Sequence, residues 1–98
     1  MNNSLIRNEE KRRFELDVDG HTAFIEYLVD KDHVMYLTHT EVPSALEGKG
    51  VGKTIVSQTL EYLKVNGFKL APLCPFVAAY LKRNPEWKSI LASGYNIG

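Results

Sequence analysis

Apolar and polar side chains alternate from Phe14 to Val18, where Phe14, Leu16 and Val18 flank Glu15 and Asp17. A period of two predicts a strand with one buried face, and the Asp19-Gly20 pair that follows predicts a tight hairpin. A second apolar run covers His21 to Val29, with Ala23, Phe24, Ile25, Tyr27, Leu28 and Val29, and the polar turn Asp30-Lys31-Asp32 closes it. A third strand is expected over His33 to Val42. Pro43 ends it, since proline removes a ladder donor and fixes its own φ. The first half of the chain reads as an antiparallel meander.

From Val51 the period changes. Val51, Ile55, Val56, Leu60 and Leu63 fall on one stripe of a helix, while Lys53, Gln58, Glu61 and Lys64 face elsewhere. Asn66-Gly67 predicts the helix end, because glycine readily takes the left-handed conformation found there. Phe68 to Leu73 predicts a short buried strand, in which Pro72 points to an edge, a bulge or a break. A second helix is expected from Pro75, since proline at the first helical position forfeits no bond. Phe76, Ala79 and Tyr80 would line one of its faces. Asn84-Pro85 ends this helix, a further turn holds Trp87, Ile90 and Leu91, and residues 1–8 and 93–98 are expected to be flexible.

Length and charge narrow the function classes. The 98 residues, 44% hydrophobic, make a single domain over 1–98 with room for one core. Twelve Lys and Arg balance twelve Asp and Glu, so no general field favours nucleic acid or an anionic membrane. No apolar run approaches a membrane span, and Met1 to Arg7 lacks the apolar core of a signal peptide. One cysteine cannot form an internal disulfide, which fits a reducing cytoplasm. No His, Cys and carboxylate spacing suggests a metal site. With no obvious apolar stripe left over, a monomer is expected.

The run Leu46-Glu47-Gly48-Lys49-Gly50-Val51-Gly52-Lys53-Thr54 carries the strongest chemical signal, with three glycines and two lysines directly ahead of the first helix. Glycines let backbone N–H groups converge on an anion, and the helix adds its positive end. A P-loop requires a glycine five residues before Gly52, where Glu47 stands, so a nucleoside-triphosphatase is disfavoured. A dinucleotide fingerprint fails too, because Lys53 occupies its third glycine position. The bland alternative is a flexible loop between strand and helix.

An antiparallel meander followed by a glycine loop, helix, strand and helix resembles the GNAT acetyltransferase superfamily, whose Q/R-x-x-G-x-G/A segment holds the pyrophosphate of acetyl-coenzyme A on backbone amides. Here that segment is Glu47-Gly48-Lys49-Gly50-Val51-Gly52, with Glu47 in place of the usual Gln or Arg. His39-Thr40-Glu41-Val42-Pro43 ahead of it, and Pro72-Leu73-Cys74-Pro75-Phe76 and Arg83-Asn84-Pro85-Glu86-Trp87 after it, resemble the minimal GNAT-like family of about a hundred residues, over roughly Arg13 to Leu91. The resemblance implies a single α/β (α+β) domain, with helices packed on a mostly antiparallel mixed sheet and acetyl-coenzyme A bound between the strand ending near Val42 and the next. That strand, Val42 included, would offer backbone groups to the acetyl and pantetheine portions. Gly48, Lys49, Gly50, Val51, Gly52 and Lys53 would hold the pyrophosphate. Arg83 and Asn84 are further contacts for the adenosine or pantetheine portion, or simply a solvated helix end.

Four residues are candidates for the chemistry. Cys74, at or beside a helix N-terminus that favours thiolate, matches a candidate catalytic cysteine of the resembling family, as His39 matches its histidine. Cys74 would accept the acetyl group or line the thioester pocket; the alternative is a buried small hydrophobe. His39 shares a strand face with Leu37 and Glu41 by simple alternation, and would take a proton from an amine or from Cys74, unless it is a hydrogen-bonded strand histidine. Glu41 would orient His39 or act through water, or be a solvated carboxylate. Tyr80, in Ala78-Ala79-Tyr80-Leu81-Lys82, resembles the tyrosine that protonates the departing coenzyme A thiolate in larger enzymes, or else packs between helix and sheet. The implied reaction is acetyl transfer from acetyl-coenzyme A to an unidentified amine, releasing coenzyme A. The rival is a module that binds acyl-coenzyme A without turnover, favoured by the small size of the acceptor region.

Overall fold

The computed structural model describes residues 4–96. Asp19 and Gly20 both take positive φ, 51° and 81°, the backbone of a two-residue turn whose twist matches its strands. They join β2 (Arg13–Val18) to β3 (His21–Val29), which pair antiparallel from Arg13↔Glu26 to Val18↔His21. β4 (Val34–Glu41) returns along β3 and pairs parallel on its other side with β5 (Lys69–Pro72). A parallel pair needs a crossover, and α1 (Val51–Val65) supplies it. Gly67, at φ 76°, ends α1: the N–H groups of Phe68 and Gly67 donate back to the carbonyls of Leu63 and Lys64 at 2.9 and 3.3 Å. Pro72 sits at the last paired position of an outer strand, where its missing N–H matters least. α2 runs from Pro75 to Arg83, and a 3-10 turn covers Pro85–Ile90.

Phe14, Leu16, Ala23, Ile25, Met35 and Leu37 point to one face of the sheet and are fully buried beneath the expected stripe of α1. Burial of each large side chain stabilises by about 1.5–3 kcal/mol, which is what holds α1 on the sheet. The opposite face, with Glu26, Leu28 and Thr38, is open to water, an arrangement antiparallel sheets tolerate. The apolar face of α2 differs from expectation. Val77 and Leu81 are buried, while Phe76 is 45% exposed and borders a cavity with Ala79 and Tyr80.

The sequence pattern omits one strand. Ile6–Asn8 forms β1, antiparallel to β2, within the stretch 1–8 expected to be flexible. The expected flexibility of residues 1–3 and 97–98 falls outside the described residues. Arg7 fastens β1: its guanidinium carbon lies 5.2, 5.7 and 5.4 Å from the ring centres of Tyr27, Tyr62 and Phe68. Its Nε and Nη1 donate to the Tyr27 and Tyr62 hydroxyls at 2.9 and 3.0 Å. Burial opposes the guanidinium's charge, yet the two phenol bonds outweigh it and raise the pKa. Three residues around an arginine carry no periodicity, so only the cage reveals the strand.

The β3–β4 turn is tied by Asp30, whose carboxylate accepts the N–H groups of Val34 and Asp32 at 3.0 and 2.8 Å and the Tyr36 hydroxyl at 2.9 Å. The Val34 N–H chiefly, against an opposing effect of burial, lowers the Asp30 pKa. A depressed pKa means that the charged form stabilises the fold above the ordinary aspartate value, and that this stabilisation fades as pH falls below about 4. Asp30→Asn is therefore expected to unfold at lower urea than the parent at pH 7, with the gap narrowing at pH 3. A gap independent of pH would show that the carboxylate charge is idle.

Candidate active site

After Pro43 a 3-10 turn, Ser44–Leu46, buries Leu46 in the core and sets the path of the glycine loop. Gly48 and Gly50 take φ of 80° and 73°, left-handed values that other residues adopt at a cost of about 1–2 kcal/mol. Gly50 is the N-cap of α1, and among the described residues no side chain makes a capping hydrogen bond there. The first intrahelical bond runs from the Thr54 N–H to the Gly50 carbonyl at 3.1 Å, so the N–H groups of Val51, Gly52 and Lys53 have no partner within the helix. They border a cavity of about 370 Å³ lined by Val42, Leu46, Glu47, Gly48, Gly50–Lys53 and Phe76. Amides without intrahelical partners at the positive end of a helix are groups that can hold an anion. Of the two loop lysines, Lys53 borders the cavity. Lys49 turns to the β2–β3 hairpin, where its Nζ lies 3.0 Å from Asp19 Oδ2.

Beside this cavity the sheet opens. β4 and β5 pair only from Val34↔Lys69 to Leu37↔Pro72, after which the Cys74 N–H donates to the Leu37 carbonyl at 2.9 Å and α2 begins. The backbone of Thr38 to Glu41 continues along β3, and among the described residues no strand pairs with its other side. Here β4 carries a bulge: Glu26 pairs with His39 and Tyr27 with Leu37, which leaves Thr38 unpaired. The extra residue reverses the alternation. His39 and Glu41, expected on the face of Leu37, lie instead on the open face opposite Glu26 and Phe24, while Thr40 turns inward opposite Ile25.

That reversal separates the two catalytic candidates. Cys74 is 3% exposed, and its Sγ lies 3.2 Å from the Thr40 hydroxyl. His39 and Cys74 thus belong to opposite sides of β4, and the neighbour of the thiol is Thr40, a residue that alternation alone could not nominate. On the open face His39 Nε2 lies 3.0 Å from Glu41 Oε1, with both side chains 54% exposed, and the Phe24 ring stands 6.4 Å away. The contact puts a carboxylate oxygen within hydrogen-bonding distance of the imidazole.

Tyr80 and Arg83 meet in a second cavity of about 240 Å³ with Lys53, Phe76 and Ala79. Six residues of helix, about 9 Å, separate Tyr80 from Cys74. Asn84 is the C-cap of α2, its side-chain amide donating to the Tyr80 carbonyl at 3.0 Å. Among the described residues, no group of His, Cys, Asp and Glu could hold a metal, and no helix is long and apolar enough to cross a membrane.

A family model described as GCN5-related N-acetyl-transferase matches residues 13–90. Protein NATD1 of Mus musculus is 28% identical over 80 residues, which cover 80% of this chain and 73% of that protein. Protein NATD1 of Gallus gallus is 29% identical over 83 residues, covering 82% and 76%. In fold, the chain is similar to an NMR solution structure of a GCN5-like protein from Staphylococcus aureus. The TM-score is 0.70 at 22% identity, over 98% of this chain and 95% of that one.

Proposed function

Because the chain belongs to the GCN5-related N-acetyltransferase family, we propose that it transfers an acetyl group from acetyl-coenzyme A to an amine. The observation that carries this reading is the uncapped first turn of α1, facing a cavity beside the gap between β4 and β5. The amides of Val51, Gly52 and Lys53, with the Lys53 ammonium, suit a diphosphate. Glu47, which also lines the cavity, opposes one and weakens the site. The bound donor supplies an activated acetyl group and leaves as a thiol.

The protein's own residues divide the remaining work. His39, oriented by Glu41 on the open face, takes the proton that the amine nitrogen loses as it forms its bond to the acetyl carbon. Cys74 and Thr40 form the inner wall of the thioester pocket. A covalent role for Cys74 needs an adjacent base, and the polar group beside its sulfur is the Thr40 hydroxyl. Direct transfer therefore fits better than an acetyl-cysteine intermediate.

The bare outer face of the sheet favours a second reading, retention of acyl-coenzyme A without turnover, since nothing among the described residues walls in an acceptor there. Titration with coenzyme A followed by amide spectra separates the possibilities. Shifts at Gly48 to Lys53, together with turnover on a panel of amines, are expected. Shifts without turnover favour the binding module, and unshifted loop amides defeat both readings.

A further inference from the structure

A third cavity, of about 340 Å³, lies between the end of β3 and the turn that joins β1 to β2, and shares no lining residue with the loop cavity. Its wall carries two guanidinium groups, Arg7 and Arg12, one carboxylate, Glu9, and the aliphatic side chains of Leu28 and Val29 beside Tyr27. The bonds from Arg7 to the Tyr27 and Tyr62 hydroxyls use only part of the donor set of a guanidinium, so the group is fixed at the wall with N–H groups to spare. Arg12 is held there at a cost. It takes φ 53°, a left-handed value at which glycine or asparagine is usual, and its carbonyl accepts the Tyr27 N–H at 2.9 Å. That bond ties the turn to β3, yet it needs only a backbone, and glycine would make it without strain. A cation kept in a strained turn, at the wall of a cavity that already holds a second cation, points to use of its charge. Leu28 and Val29 are 50% and 43% exposed, two large aliphatic side chains left in contact with water at the strand end.

We propose that this cavity binds a small zwitterion, an α-amino acid with an apolar side chain, at a site separate from acetyl transfer. Its carboxylate lies between the Arg7 and Arg12 guanidinium groups, each able to meet it with paired N–H donors. Its ammonium group faces Glu9, and its aliphatic chain covers Leu28 and Val29. The mixture of charges selects this class. A simple inorganic anion would use the arginines but be repelled by Glu9, and an amine without a carboxylate would be repelled by the two arginines. An uncharged apolar molecule would bury all three charges unpaired. The volume, above the ~300 Å³ at which whole small-molecule sites begin, holds such a ligand entire. Occupancy here is independent of what the glycine loop holds.

Four compounds test the assignment by amide spectra: leucine, leucinamide, which lacks the carboxylate, 4-methylpentanoate, which lacks the ammonium group, and inorganic phosphate. Leucine should shift the amide signals of Arg12, Leu28 and Val29 saturably at up to about 10 mM, leaving Gly48 to Lys53 in place, and each truncated compound should bind about tenfold more weakly or worse. Arg12→Gly and Arg12→Asn both suit the left-handed turn, so they should weaken leucine about tenfold without lowering the melting temperature. Glu9→Gln should remove the advantage of leucine over 4-methylpentanoate. Arg7 is left intact, because it fastens β1. The absence of a saturable shift with leucine overturns the assignment, as do equal binding of leucine and both truncated compounds, and full leucine affinity in both Arg12 variants. Phosphate bound as tightly as leucine overturns it too, since the site would then select charge alone.

Discussion

Lys53→Glu is expected to weaken coenzyme A binding about a hundredfold, whereas Lys49→Glu, four residues earlier in the same loop, should change it less than about threefold. Lys53 borders both cavities, beside the amides proposed to hold a diphosphate. Reversing its charge replaces attraction with repulsion. For unit charges about 4 Å apart near a protein surface each contribution is of order 4 kcal/mol before salt screening, so a net loss near 3 kcal/mol is a conservative figure. Lys49 is directed at Asp19, outside the cavity, so its reversal disturbs an exposed ion pair of little energetic consequence. Glu47→Gln should act in the opposite sense, strengthening binding several-fold by removing a carboxylate from the cavity wall. Calorimetry at 0.15 M and 1 M salt checks all three, because the Lys53 effect should shrink as salt rises. Equal losses at Lys49 and Lys53 would mean that the phosphates lie elsewhere. Lys53 is exposed, so an unchanged melting temperature would exclude misfolding as the cause.

The Lys49 and Lys53 contrast shows where sequence patterning stops. Strand and helix positions were legible because burial on one face imposes a period on the chain: every residue of the stripe from Val51 to Leu63 named from spacing is buried. The turns at Asp19-Gly20 and Asn66-Gly67 were legible because positive φ selects a few residue types. The glycine loop was legible for the same reason. Side-chain direction within an irregular segment leaves no such trace, and nothing in Gly48-Lys49-Gly50 indicates that Lys49 turns to a hairpin thirty residues earlier. The bulge at Thr38 was hidden too, since one inserted residue in Leu37-Thr38-His39-Thr40 disturbs neither composition nor strand propensity. Its effect is nonetheless the largest revision of the site: by exchanging the faces of His39 and Thr40 it gives Cys74 a hydroxyl neighbour and places the imidazole in solvent.

That exchange makes the second large effect asymmetric. His39→Ala should lower kcat/KM for the amine about 10²–10⁴-fold, the usual contribution of a positioned general base, while Cys74→Ala should keep turnover within about tenfold of the parent. On the open face His39 is reachable by an amine from solvent and is held by Glu41 at 3.0 Å, so Glu41→Gln should cost less than loss of the imidazole itself. Coenzyme A affinity should survive in His39→Ala, because the diphosphate is proposed to bind at Gly50–Lys53, in a cavity that His39 does not line. Cys74→Ala removes one buried sulfur, which costs stability on the order of 1 kcal/mol through the small cavity left behind, so activity must be compared well below the melting transition. Cys74→Ser, which retains a polar atom near the Thr40 hydroxyl, controls for that loss. Two results would sink direct transfer: an acetyl group trapped on Cys74 and released to amine at the turnover rate, or a Cys74→Ala variant as inactive as His39→Ala yet folded and binding coenzyme A. Either would require Cys74 to leave its buried position and reach a base across β4, a rearrangement visible as altered amide signals at Leu37 and Cys74, whose backbones are now joined at 2.9 Å.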